Sequence, residues 1–283
     1  MSQPVLVIQG GTGVRPDNKR IGPIRKNLRT VSERAFEYLR SHNALETVSY
    51  AVRLLEDDPL FNAGTGSSLQ KDGRARMSAA IMDGSRRRFA SVINIERVRN
   101  PVLVADALLE EEDRVLAGHG AIRFAREKGF PVWNPVSALR RRQWEQRVRD
   151  SAAAYGTVGA VALDADGRLA AATSTGGKGF EHVGRVSDSG LPAGTYANTQ
   201  AAVSCTGIGE DVIDEAVAVR IGQRAADGAV LKKAFALTFD EMRTSSRQLG
   251  AIGLDWHGQW VWDTTTPLLV AIARTGTRWA ESY

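Results

Sequence analysis

Two threonines stand where a hydroxyl could be made into a nucleophile. Thr157 follows Gly156 and opens the apolar stretch "TVGAVALD"; Thr175 closes the answering stretch "RLAAATST", just ahead of Gly176 and Gly177. A threonine hydroxyl attacks poorly without a base beside it, and one economical solution makes the threonine a chain N-terminus whose own amine is that base. A free α-amino group, with a pKa of about 7.7–8.0, accepts a proton near neutral pH. Gly156 has no Cβ, so it can adopt a strained geometry and leave its carbonyl open to the Thr157 hydroxyl. Self-cleavage at this bond would expose the nucleophile. Taken alone, however, Gly-Thr ahead of a strand is more often an ordinary strand start.

The elements that would position these hydroxyls begin with a hairpin. Ala165-Asp166-Gly167 suits a three-residue loop with glycine in the left-handed position. If Asp164 faces Arg168, the same register sets Thr157 opposite Thr175. Upstream, "VLVIQ" (5–9) reads as a strand, and "TVSE" (30–33) and "NALE" (43–46) each read as a capping box opening a helix. Leu45, Val48, Val52 and Leu55 then share one helical face. "DPLFNAGTGSS" is a loop by composition. "RMSAAIMDG" and "RFASVINI" read as adjacent strands, and residues 100–129 as a helical region interrupted near Gly118–Gly120. Residues 130–156 lose the periodicity and read as a linker. Beyond it come a strand at 201–206, a helix with Ile213, Val217 and Ile221 on one face, a helix marked by Leu231, Phe235, Phe239 and Met242, and three closing strands. Strands and helices come in runs without clean alternation, which points to an α+β fold of packed sheets covered by helices.

Other chemistries lack their signals. There is no HExxH, no GxSxG elbow and no GK[ST] phosphate loop; Cys205 is the one cysteine, and His42, His119, His182 and His257 have no metal-ligand spacing. With 283 residues, 43% hydrophobic and 24% charged, the chain can bury a substantial core, and no apolar run approaches the roughly 20 residues a membrane helix needs. The start, "MSQPVLVIQGG", shows no basic leader, so a cytoplasmic enzyme without a membrane partner is expected. The net charge of +5 raises the question of a polyanion. Its clusters, "SRRRF" (85–89) and "LRRRQWEQRVR" (139–149), come without a recognition helix or stacking aromatics and read as solvated faces, so no nucleic-acid partner is expected.

Several separated motifs, in order, resemble those of the plant-type asparaginase and isoaspartyl peptidase family, the threonine branch of the N-terminal nucleophile hydrolases. They are "DPLFNAGTGSSLQKDG", "MSAAIMDG", "GTVGAVALDADGRLAAATSTGG", "GRVSDS" and "AGTYANTQAAVSCTGIGE". The resemblance is continuous from about residue 43 to 215. It implies a four-layer αββα sandwich built by a single domain, 1–283, autocleaved into 1–156 and 157–283, with the cut chains paired as an (αβ)2 dimer. Thr157 matches the family's nucleophile and Thr175 its helper hydroxyl. Arg185 and Asp188 match the pair that fixes a substrate's α-carboxylate and α-ammonium, Thr206 and Gly207 the oxyanion hole, and Gly209 the substrate-lining turn. Asn62 matches the loop asparagine near the nucleophile. The implied activity is hydrolysis of L-asparagine or β-aspartyl dipeptides, with no cofactor for the chemistry and a structural sodium ion held by backbone carbonyls of the loop from Leu54 to Gly64.

The chain departs from that pattern at Gln9, where relatives carry histidine before Gly-Gly, and at Ser78, where an acidic residue is usual. It also departs at Gly179-Phe180-Glu181-His182, in place of a common Thr-Asn-Lys, and at Ser187, in place of a glycine. The "LGAIGLDWHGQWVWDTTTP" segment lacks the fuller glycine cluster and the usual Asn-Thr. These changes spare the chemistry and bear on substrate preference and maturation rate. The residues leave three alternatives open: a glycosylasparaginase, a threonine endopeptidase of the same superfamily, or a homologue that never matures and only binds.

Overall fold

The structure is a computed structural model that describes residues 2–13, 18–147 and 156–282. In chain order its elements are β1 (Val5–Gly13), α1 (Asn18–Leu39), α2 (Ala44–Asp57), β2 (Met77–Asp83), β3 (Arg88–Ile95), α3 (Pro101–Leu108), β4 (Val115–Ala117), α4 (Gly118–Glu127) and α5 (Ala138–Arg147). Then follow β5 (Val158–Leu163), β6 (Leu169–Thr175), β7 (Thr195–Ala197), β8 (Ala201–Gly207), α6 (Gly209–Asp214), α7 (Val217–Ala226), α8 (Leu231–Thr244), β9 (Leu249–Asp255), β10 (Trp260–Thr264), β11 (Leu268–Thr275) and β12 (Arg278–Glu281). Two sheets result: eight strands in the order β12-β11-β1-β5-β6-β2-β3-β4, and four in the order β10-β9-β8-β7.

Strand alternation divides the apolar side chains between two cores. On β1, Leu6 and Ile8 pack with α1, α2 and α3, whereas Val5 and Val7 turn to the four-stranded sheet. On β5, Ala160 and Ala162 face the helices while Val161 and Leu163 face the other sheet. The outer side of the smaller sheet is covered by α7 and α8: the Phe235 ring packs against Gly253 of β9, so close that a Cβ there would sit 2.4 Å from the ring. The central strands are therefore buried on both faces, which is why their sequences read as continuous apolar runs.

The β5–β6 hairpin has the expected register, Val158 opposite Ser174 and Leu163 opposite Leu169. Gly167 takes φ +80° in its loop. Asp164 fixes that loop, accepting the Asp166 and Arg168 amides on Oδ1 and the Ala44 amide on Oδ2. Helix α2 starts on the Asn43–Glu46 capping box expected for it. Its last turn carries Glu56, which accepts the Ser174 hydroxyl of β6 (2.6 Å) and the Val102 amide of α3 (3.0 Å). One helix thus grips both ends of the hairpin that bears Thr157 and Thr175.

Five expectations are corrected. Thr30 opens no helix: it lies inside α1, and its hydroxyl bonds back to the Lys26 carbonyl, so the "TVSE" pattern sits where the four-residue spacing is helical already. The break in 100–129 falls earlier than Gly118, because residues after α3 turn to add β4 parallel to β3, and Gly118 (φ +50°) begins α4. Within the expected linker, 138–147 is helix α5; residues 148–155 lie outside the described residues. Ile213 does not share a helix with Val217 and Ile221, since Ala216 in the left-handed region separates α6 from α7. Strand β12 was not anticipated after β11.

Burial lifts the Glu56 carboxyl to a pKa of about 8, against the bonds from Ser174 and Val102. Its ionisation therefore opposes folding: the stability present below the unfolded pKa of about 4.3 is lost as pH rises through about 8. Glu56→Gln, which mimics the neutral acid, is expected to flatten the fall in Tm between pH 6 and 9. An equally steep fall in the variant would contradict this assignment.

Candidate active site

Gly156 and Thr157 lead into β5 beneath a small cavity also lined by Thr175, Arg185, Asp188, Gly207 and Gly209, so seven of the expected site residues meet there. The Thr157 hydroxyl donates to Thr175 Oγ1 at 3.3 Å, and both side chains are buried. Thr175 Oγ1 also accepts the Gly177 amide (3.1 Å), which fixes the hydroxyl at the mouth of the hairpin. Gly156 has φ +154°, and Gly11 (φ +111°) presses on it: a Cβ at position 11 would stand 2.7 Å from the Gly156 Cα. Gln9 secures that contact. Its buried side chain accepts the Gly11 amide and donates to the Cys205 carbonyl of β8.

Asn62 stands behind the lining. Its Nδ2 donates to the Gly177 carbonyl, its Oδ1 accepts the Ser68 amide, and its own carbonyl accepts the Gly176 amide. Two of these bonds tie the 62–68 loop to the end of β6, and the Ser68 bond closes the loop on itself. Thr206 is also one step back: the Oγ1 is fully buried and has no partner among the described residues, while Gly207 (φ +128°) beside it faces the cavity.

Arg185 and Asp188 converge on Gly209. A Cβ there would lie 2.5 Å from the Arg185 guanidinium and 2.8 Å from Asp188 Oδ1, so glycine is what lets the two charges share one pocket. Asp188 is buried, with Oδ1 accepting from Ser187 (2.9 Å) and Oδ2 without a partner among the described residues. Burial raises its pKa to about 6, against the Ser187 bond and the Arg185 charge. Glu210 and Lys178 complete the group. Glu210, in the first turn of α6, takes Arg185 in a two-point fork (3.1 and 2.8 Å) and a third bond from Lys178. Its partial burial would raise its pKa, but the Arg185 and Lys178 bonds win and hold it near 2. Neither residue emerged from the sequence reading, although the acid directly after "GIG" was a usable sign.

The loop expected to hold a cation offers neutral oxygens. The Glu56 carbonyl points at Gly64, and those of Pro59 and Phe61 at Gly66; a Cβ would come within 2.4, 2.7 and 1.9 Å of them, respectively. Backbone carbonyls suit a hard cation of low charge. No cluster of three or more His, Cys, Asp or Glu side chains that could hold a metal occurs among the described residues. His182 is exposed and apart from the cavity lining. No helix among the described residues is long and apolar enough to cross a membrane.

Comparison with known proteins identifies relatives along nearly the whole chain. The family model described as "Asparaginase" matches residues 2–282, well beyond the stretch in which the motifs were read. The chain is 43% identical to an "Isoaspartyl peptidase/L-asparaginase" of Synechocystis sp., over 97% of this chain and 88% of that protein. It is 45% identical to one of the same name from Nostoc sp., over 97% and 92%, and 39% identical to a "Plant-type L-asparaginase" of Pyrococcus furiosus, over 80% and 83%. The resemblance read from the motifs is borne out over nearly the whole length, and the chain belongs to the asparaginase family.

Proposed function

We propose that this chain is an amidohydrolase that cleaves the side-chain amide of L-asparagine and of β-aspartyl dipeptides, with Thr157 as a nucleophile freed by cutting the Gly156–Thr157 bond. The observation that carries this reading is the convergence on one cavity of a paired threonine hydroxyl, a glycine-framed peptide bond and an Arg/Asp pair. In maturation the Thr157 hydroxyl attacks the Gly156 carbonyl, the acyl group passes from nitrogen to oxygen, and water hydrolyses the ester. The amine so released has the pKa to accept the hydroxyl proton in later turnovers.

In turnover the substrate's α-carboxylate is held by Arg185, whose guanidinium has five N–H donors, of which the Glu210 fork takes two. The α-ammonium goes to Asp188, whose Oδ1 lies beside Gly209 and the Arg185 guanidinium in the cavity. Thr157 then attacks the side-chain carbonyl. The Thr206 hydroxyl and the Gly207 amide stabilise the oxyanion, ammonia or an amino acid leaves with the proton from the Thr157 amine, and water resolves the acyl-enzyme. The orphaned Thr206 hydroxyl favours this role, since a buried donor without a partner is costly until an acceptor arrives.

The same reading extends to the architecture and assembly. Helices on the far side of each sheet, with the two sheets packed face to face, favour a single αββα sandwich. The backbone carbonyl of Glu56 beside Gly64 and those of Pro59 and Phe61 beside Gly66 favour a sodium ion that steadies the loop bearing Asn62 without taking part in the reaction. Family membership favours a small amide substrate and paired (αβ)2 units.

Purified, cut protein is expected to release ammonia from asparagine and a free amino acid from a β-aspartyl dipeptide, and to leave glycoasparagine untouched. Turnover of glycoasparagine alone would overturn the assignment. Asp188 adds a pH signature. Below about pH 6 it is protonated and loses the charge that holds the ammonium, in addition to protonation of the Thr157 amine. The slope of log kcat/KM against pH for asparagine should therefore steepen from one to two below about pH 6. Asp188→Asn should lose both the steepening and most of the affinity. A wild-type slope that stays at one down to pH 5 would contradict the role given to Asp188.

A further inference from the structure

The helix that precedes the scissile bond is built into the site. Along α5 the half-buried residues are Arg140, Gln143 and Trp144, one face at helical spacing, while Arg141, Arg142, Glu145 and Gln146 are exposed. That face is docked on residues 66–73. Arg140 donates through Nε to the Gly66 carbonyl, Trp144 donates through Nε1 to the Gln70 carbonyl (2.9 Å), and the indole covers Gly73, 3.2 Å from where a Cβ would be.

Residues 66–73 in turn hold the loop that carries the head-group arginine. The Leu69 carbonyl accepts the Phe180 amide (2.7 Å), the Lys71 amide donates to the Glu181 carbonyl (3.0 Å), and Gln70 Oε1 accepts the Gly184 amide (3.0 Å), next to Arg185. The Ser68 amide, in the same segment, donates to Asn62. A continuous chain of bonds thus runs from Trp144 through Gln70 to the backbone adjoining Arg185. The cut at Gly156 breaks none of these bonds, because α5 and residues 66–73 lie on the same side of it, and the 180–185 loop on the other fragment is joined to 66–73 by hydrogen bonds alone.

Resting on the hydrolase reading above, we propose that α5 stays docked after cleavage and braces the substrate head-group loop, with Trp144 as a positioning residue for Arg185. It touches no reacting atom. Its loss should therefore weaken substrate binding and leave the chemical step in place. The segment before the cut is then a lasting part of the mature site, joining the two fragments beside the nucleophile.

The test compares cut wild type with Trp144→Ala and Trp144→Phe, maturation being checked by mass. Trp144→Ala is expected to raise KM for asparagine about fivefold, the scale of one lost hydrogen bond, with kcat within about twofold of wild type. Trp144→Phe keeps the cover over Gly73 and should fall between the two. A fully cut Trp144→Ala enzyme with wild-type KM overturns the proposal. Amide exchange on cut wild type supplies a readout that does not depend on the variants folding: slow exchange across 138–147 is expected, and exchange there at the rate of an unfolded chain overturns the brace. Wild type that releases no ammonia would instead sink the hydrolase reading, and exchange would still decide whether α5 is docked.

Discussion

The register of the β5–β6 hairpin is the constraint on which the site depends. Side chains on a strand alternate between faces, so a slip of one residue would carry Thr157 away from Thr175 and into the opposite core. The structure guards against that slip at both ends. Asp164 ties the hairpin loop to the first turn of α2 through the Ala44 amide, and Glu56 in the last turn of α2 takes the Ser174 hydroxyl beside Thr175. A helix is a rigid ruler, so fixing both contacts fixes the length and phase of the strand pair between them. Both gripping groups are buried carboxyls, which cost free energy unless fully bonded or neutral, and Glu56 meets that cost by holding its proton near neutral pH.

The electrostatics of the pocket at Arg185 and Asp188 follow a different rule. Asp188 is deeply buried, and one of its oxygens has no partner among the described residues, an expensive arrangement in a finished core. Arg185 lowers that cost only in part, because Glu210 already claims two points of its guanidinium. The pocket sets an anion at Asp188 beside a cation at Arg185, the charge pattern on which the proposed binding of an amino-acid head group rests. Glycines make this arrangement sterically possible: at Gly209 and Gly11 any side chain would displace the charges or the Gly156–Thr157 peptide.

Much of this was legible in the sequence where a local rule has one physical solution. The three-residue loop with Gly167 sets the hairpin register by turn geometry alone, and Asn43 with Glu46 announces α2. Other features depend on partners distant in the chain. The "TVSE" pattern is identical whether it begins a helix or sits within one, and only the residues before it decide. Helix α5 was hidden because its docking face consists of an arginine, a glutamine and a single tryptophan, not an apolar stripe, and its partner is a loop some 70 residues earlier. Glu210 escaped for the same reason. An acid in a first helical turn is commonplace, and its meaning comes from Arg185 arriving opposite it.

The central claim is that Thr157 becomes a chain terminus, and intact mass under denaturing conditions tests it most directly. After prolonged incubation the wild-type protein should give two fragments that meet between Gly156 and Thr157, while Thr157→Ala stays whole. A wild-type chain that remains uncut yet hydrolyses asparagine, or a Thr157→Ala chain cut at the same bond, would contradict the account.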